Sequence, residues 1–398
     1  MNAKMLALQA NSKLQLLKTI AQRNIDTNQF ASIEWQIKKD GDLFDEGSVT
    51  RPDLDWQYPQ NPIYRIYSMT KPIVALMGVI LIERGELQLS TALADILPEF
   101  RKLEVLRLDH TTEQAHPIII EQLFTHRAGF TYNFFPECPV SSLYRKDGLM
   151  SDGECSLENF VNRAAQLPLA NQPNERWHYS IATDILARVL EVVSGKPLGA
   201  LLQHEIFDTL DMPDTQYFIS QSERHRLLPM YGRSLDEILN APEATSELRK
   251  IDVANQYPWD RPETFARGGH GLFSTTKDYM QFAQFCLTGH SAMGVPLVSR
   301  KMMDLMWANR LPAGQLPYWL GPFPAPGYGF NLFGRVMIDL GQAISLTGLG
   351  EGGWGGAAST FFWADRNERF TGVVMTQHLG TLSSMRTDMM AAAYQAIS

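Results

Sequence analysis

Tyr67-Ser68-Met69-Thr70-Lys71-Pro72 runs directly into Ile73-Val74-Ala75-Leu76-Met77-Gly78-Val79-Ile80-Leu81-Ile82. The second stretch is apolar on every side and reads as a helix buried nearly all round. The first places a hydroxyl and an amine three residues apart, and residues at i and i+3 share one helical face. Pro72 falls in the first turn, where its missing N–H costs little. With Ser68 opening the helix, its N–H belongs to the first four donors that a helix leaves unpaired. One residue can then supply a nucleophile and half of an oxyanion hole. A buried helix whose first turn is polar yet holds no acid is explained better by catalysis than by capping.

Ser-x-x-Lys occurs a second time, at Ser274–Lys277. That copy precedes the apolar run Tyr279 to Leu287, and Ser274 or Thr275 is the expected N-cap, with Asp278 as the acidic half of a capping box. It reads as structural. Composition narrows the remaining choices. A chain of 398 residues predicts two or three domain-sized units, and 44% hydrophobic with 20% charged residues is ordinary for a soluble globular protein. A net charge of −8 and a pI near 5.6 argue against nucleic acid or an anionic membrane as partner. Cys138, Cys155 and Cys286 form no CxxC and leave one cysteine over, and no His pair has ligand spacing, so neither a disulfide framework nor a metal or other cofactor is expected. Met1 to Gln22 lacks a continuous apolar stretch of signal-peptide type, and Ile73 to Ile82 is too short to span a bilayer. The expectation is a cytoplasmic protein acting on a small molecule.

The element pattern is α+β, with strands gathered at the two ends. Ala31 to Lys38 alternates as a strand, Asp40-Gly41 is a hairpin turn, and Leu43 to Val49 returns. Helical patterns fill the middle, at Ile118–Leu123, Leu157–Gln166, Ile181–Ser194 closed by Gly195, Leu198–Ile206 and Thr276–Leu287. Strand-like runs follow at Tyr328–Leu340, Ala343–Leu346, Ala357–Asp365 and Arg369–Gln377, and Ser383–Ile397 reads as a final helix. Strands from both ends would form one antiparallel sheet flanked by the terminal helices, giving a discontinuous sheet domain (1–72 and 290–398) and a mainly helical domain (73–289). Ser68 would lie at their seam, where ligand clefts tend to form.

A serine nucleophile needs a base. Lysine must lose roughly 3 pKa units, about 4 kcal/mol, to serve at neutral pH, and a tyrosine beside a lysine ammonium is the other option. Tyr179, in Trp177-His178-Tyr179-Ser180, is the leading candidate. With Ser180 as N-cap, Tyr179 is the residue before it. A hydrophobic staple there would need an apolar partner where Asp184 stands, so both a phenol facing a cleft and a core tyrosine fit the local pattern. The second oxyanion donor should come from a strand that substrate can approach closely, and Gly352-Gly353-Trp354-Gly355-Gly356-Ala357 fits. Gly348-Leu349-Gly350-Glu351-Gly352-Gly353 matches GxGxxG, but an aromatic strand follows where a dinucleotide fold needs a helix, and GxSxG is absent.

Taken together these residues resemble the serine β-lactamase and penicillin-binding superfamily, in its class C-like carboxylesterase branch. Arg65 to Pro72 is similar to the family's first motif, Leu123-Phe124-Thr125-His126-Arg127-Ala128-Gly129-Phe130 to its LxTHxxG signature, and Trp177 to Asp184 stands where its tyrosine motif belongs. Gly85 to Leu89 with Leu97 to Phe100, and Gly268 to Ser274 with Asp278-Tyr279, match two further segments. The resemblance implies a β-lactamase-like fold, with Ser68 as nucleophile, Lys71 and Tyr179 as base and proton relay, and the Ser68 and Ala357 N–H groups as oxyanion hole. Tyr132, Ile181, Trp354, Gly355 and Gly356 would line the substrate pocket, and His126 and His270 would be structural. Two departures point toward esters: Ile181 stands where family β-lactamases carry the asparagine of Tyr-x-Asn, and Trp354-Gly355-Gly356 stands where they carry Lys-Thr-Gly. The expected activity is cleavage of short-chain carboxylic esters through an acyl-enzyme. A β-lactamase, a D-amino-acid amidase or peptidase, and a penicillin-binding receptor without turnover are the alternatives, and which of Lys71 and Tyr179 accepts the proton stays open.

Overall fold

The computed structural model describes residues 3–150, 153–234, 237–238, 248–260 and 265–397, with side chains from residue 15 onward. The chain opens with helix α1 (Ala3–Asp26) and the hairpin strands β1 (Ser32–Lys39) and β2 (Asp42–Thr50). Its middle carries helices α2 (Thr70–Glu83), α3 (Ala182–Ser194) and α4 (Thr276–Thr288). Strands β3 (Tyr328–Phe330), β4 (Arg335–Met337), β5 (Gly352–Gly355), β6 (Phe361–Asp365) and β7 (Phe370–Met375) follow, and helix α5 (Met385–Ala396) closes the chain.

Seven strands form one sheet in the order β3-β4-β5-β6-β7-β1-β2, with every neighbouring pair antiparallel. The N-terminal hairpin turns at Asp40-Gly41, both at positive φ as a two-residue turn requires, and docks beside β7 with Trp35 opposite Val374. Side chains alternate across the sheet. Phe361 and Trp363 of β6 join Leu17, Ile20 and Met389 of the terminal helices on the outer face. Phe362 and Ala364 join Tyr279 and Phe282 of α4 on the inner face. Covering both faces removes the whole strand from water, so β6 and β7 are buried throughout and apolar except at Asp365 and Thr371. The fold is α+β, one antiparallel sheet flanked by the terminal helices.

Three local expectations are corrected. The run Tyr328–Leu340 is a hairpin, β3 and β4, because Asn331 Oδ1 accepts the N–H groups of Phe333 and Gly334 at 2.9 Å each and turns the chain. Ala343–Leu346 is no strand: β4 already pairs with β3 and β5, and Ile344 is left 80% exposed. Ser180 is not the N-cap of α3. The helix starts beyond Ile181, whose carbonyl accepts from Asp184 N–H at 2.9 Å. The stop of α3 at left-handed Gly195 is as the sequence predicts.

Candidate active site

The approach to Ser68 is held on three sides. Tyr64–Arg65 pairs antiparallel with Phe273–Ser274, and Ile66 N–H donates to Leu272 O at 3.2 Å. Tyr67 then adopts φ 44° and begins one 3₁₀ turn, Tyr67–Met69, before α2 starts. A left-handed conformation at a bulky residue is strained and persists only where its surroundings hold it. Here Tyr279 OH donates to Met69 O at 2.8 Å, and Leu272 N–H donates to Thr70 Oγ1 at 3.3 Å. The turn leaves Ser68 half-buried at the head of a helix whose next twelve residues are buried.

Lys71 follows one turn on. Its Nζ donates to Ser68 Oγ at 3.2 Å and to Gly269 O at 2.7 Å. Tyr179 reaches the same oxygen from the far side of the cleft, OH to Ser68 Oγ at 2.8 Å. Its position is set by backbone bonds flanking it, His178 N–H to His126 O at 2.9 Å and Ile181 N–H to Thr131 O at 3.2 Å. The Lys71 ammonium stands 4.8 Å from the centre of the Tyr179 ring and 5.2 Å from that of Tyr132, and Trp354 Nε1 lies 3.4 Å from Tyr179 OH. Positive charge between two aromatic faces is favourable.

The glycine strand completes the constellation. A Cβ on Gly356 would lie 2.4 Å from both Ile66 O and Thr360 Oγ1, so only glycine lets this turn press against the segment leading into Ser68. Gly356 N–H is used by Thr360 O at 2.8 Å. The N–H groups of Ser68 and Ala357 donate to no acceptor among the described residues. Ser68, Tyr132, Tyr179, Trp354, Gly355, Gly356 and Ala357 all line one cleft of about 1810 Å³.

Ile181 is not brought to that cleft. It is fully buried at the start of α3. The second Ser-x-x-Lys pair is also absent from it: Ser274 is buried in a strand against Thr215 Oγ1 at 2.8 Å, Lys277 points outward, and Thr275 is the cap, accepting from Asp278 N–H at 3.1 Å. The neighbouring histidines are neutral at physiological pH. Burial pushes His126 well below the ordinary histidine range, His178 down to about 4 and His270 down to about 3. His126 meets Ser180 Oγ at 3.3 Å and His178 meets Thr131 Oγ1 at 2.8 Å, so both brace the tyrosine loop.

Asp184 is the residue that sequence reasoning missed. It is fully buried in the first turn of α3, and its Oδ1 accepts Gly269 N–H at 2.9 Å while Gly269 O receives Lys71. Burial pushes its carboxyl up, against the pull of Lys71. A Cβ on Gly269 would come within 2.6 Å of Asp184 Oδ2 and 2.8 Å of Tyr132 OH, so glycine is required there too. The available signal was an acid on a buried helical face. An acid in a first turn is also ordinary helix chemistry, and that reading masked it.

Comparison with known proteins gives the family. Residues 44–397 match the family model described as Beta-lactamase. Protein Rv1367c of Mycobacterium tuberculosis is 30% identical over 88% of this chain and 85% of its own length. Esterase EstB of Burkholderia gladioli is 26% identical over 77% of this chain and 75% of its own. The solved structure of EstCE1, described as a hydrolase with promiscuous acyltransferase activity, superposes with a TM-score of 0.81 at 22% identity, covering 97% of this chain and all of that one (100%). A family match over nearly the whole chain, together with this fold, establishes that the protein belongs to the beta-lactamase family of the serine β-lactamase and penicillin-binding superfamily.

Proposed function

We propose that this protein is a serine hydrolase that cleaves carboxylic esters bearing short acyl chains, through an acyl-enzyme on Ser68. One observation carries the reading: Ser68 Oγ lies within hydrogen-bonding distance of both Tyr179 OH and Lys71 Nζ at the head of a buried helix. In the reactive state Tyr179 is a phenolate paired with the Lys71 ammonium, and its oxygen takes the Ser68 proton as Oγ attacks the ester carbonyl. The carbonyl π electrons move to oxygen, and the oxyanion rests on the N–H groups of Ser68 and Ala357. The bond to the alcohol oxygen breaks, that oxygen receives the proton from Tyr179, and acyl-Ser68 remains. Water then repeats the sequence, gives its proton to the relay, and releases the carboxylic acid and free Ser68.

Support comes from Trp354, an apolar wall of the cleft, and from the relative described as an esterase. The test is multiple turnover of p-nitrophenyl butyrate by the purified chain, with covalent capture of Ser68 by a fluorophosphonate and loss of both in Ser68→Ala. Capture with a single burst and no turnover would identify a receptor. No capture would overturn the assignment of the nucleophile.

A further inference from the structure

The cleft is far larger than a short ester needs. Pockets for drug-sized ligands occupy about 300–1,000 Å³, whereas this one spans about 1810 Å³. An ethyl or p-nitrophenyl ester would leave most of it filled with water against apolar walls. One wall is an aromatic run, Tyr179–Trp177–Tyr318, that starts at the proton relay. The Trp177 ring stacks on that of Tyr179 with 6.0 Å between centres, and Tyr318 packs on Trp177 at 4.4 Å. Tyr318 leads into a two-stranded hairpin, Trp319–Leu320 with Phe323–Pro324, anchored by Ala325 N–H donating to Tyr318 O at 3.0 Å. Trp319 and Phe323, one on each strand, are 55% and 61% exposed, although both line the cleft. Large apolar side chains left exposed in the lining of a site mark a place where something apolar binds.

The chemistry says which half of the substrate lies there. On the proposed reaction, Tyr179 OH must hand its proton to the leaving alcohol oxygen. That oxygen therefore sits at Tyr179, and whatever the alcohol carries lies along the surface contiguous with it. The acyl group is bonded to Ser68 at the other side of the same carbon. We infer that the wall formed by Tyr179, Trp177 and Tyr318, together with Trp319 and Phe323 of the hairpin, is a leaving-group subsite, and that the substrates are short-chain acyl esters of bulky apolar alcohols. This rests on the ester-hydrolase reading above and specifies the alcohol half, which that reading leaves open.

The test uses butyrate esters of primary alcohols with matched leaving ability: ethanol, 2-phenylethanol and 2-(1-naphthyl)ethanol. An aromatic group buries about 150–250 Å². Half of the lower figure, at about 25 cal/mol per Å², corresponds to on the order of a 20-fold gain in kcat/KM from ethyl to naphthylethyl. The gain should come mainly through KM. Lengthening the acyl chain from acetate to octanoate on 2-phenylethanol should give a smaller change. In the double variant Trp319→Ser, Phe323→Ser the ethyl-to-naphthylethyl ratio should collapse to within about threefold, as expected when the apolar contact is removed. Trp319 and Phe323 are largely exposed, and an unchanged melting temperature would show that the variant is folded. A flat alcohol series, a larger gain along the acyl series, or an unchanged ratio in the hairpin variant would overturn the subsite while leaving the esterase reading standing. Absence of turnover on every ester would instead overturn the underlying function.

Discussion

Removing Tyr179 OH and Lys71 Nζ separately and together tests whether they act as one unit. Ser68 Oγ has two polar neighbours, at 2.8 Å and 3.2 Å. Tyr179→Phe deletes the shorter contact and nothing else of bulk. Lys71→Ala deletes the longer one, the bond to Gly269 O and the charge 4.8 Å from the Tyr179 ring. General acid–base participation contributes about 10²–10⁴-fold, or about 3–5 kcal/mol of barrier, so each single variant should lose that much in kcat. Independent contributions would multiply to about 10⁴–10⁸-fold in the double variant. Groups that share one proton path are non-additive, so the double should fall within about threefold of the poorer single. The assay is steady-state hydrolysis of p-nitrophenyl butyrate at neutral pH, with thermal melts to normalise for folded protein. Losses that multiply would refute a shared path and leave Tyr179 with a separate role in binding.

Further outcomes follow from individual contacts. Asp184→Asn keeps an acceptor for Gly269 N–H and should stay within about tenfold of wild type, whereas Asp184→Ala releases Gly269 and Lys71 and should cost about 10²-fold in kcat with little change in KM, the usual effect of misplacing a group by about 1 Å; equal losses in both variants would remove the positioning role. Ser274→Ala should leave fluorophosphonate capture intact and cost about 1 kcal/mol in urea unfolding, the worth of its bond to Thr215; a probe adduct on Ser274 would reverse the choice between the two motifs. Ester kcat/KM should exceed that for nitrocefin by far, because Trp354 puts an apolar wall where the Lys-Thr-Gly strand would put its lysine, which leaves Arg386 beside Gly355 as the nearby cation of the cleft; comparable values would favour a β-lactamase. Burial pushes the Asp278 carboxyl up to about 6. Its folded value lies above the unfolded one, so its stabilising contribution is full below about pH 4 and lost as pH rises through about 6. Asp278→Asn cannot ionise, so its stability relative to wild type should improve across that window, by about 3 kcal/mol at most; a difference that does not vary with pH would contradict the shift.

What the sequence determined by itself is what backbone geometry settles within a few residues. The i, i+3 spacing puts Ser68 and Lys71 on one face wherever the helix lies, and their 3.2 Å contact is its consequence. Asp40-Gly41 demands positive φ and turns the hairpin, and Gly195 stops α3 for the same reason. The order of motifs carried the family. Tertiary structure decided everything that joins distant stretches. Tyr179 meets Ser68 across 111 residues, and Gly269 O meets Lys71 across 198. No local pattern separates a core tyrosine from one whose hydroxyl reaches another element, since both are aromatic residues with an apolar body. Asp184 was illegible for a related reason: in sequence it is a helix-start acid, and only the packing of Gly269 against it turns it inward. Ile181 failed in the opposite direction, because its place in a motif says nothing of which way the first turn of α3 rotates it, and that rotation is fixed by the burial of the helix's apolar face.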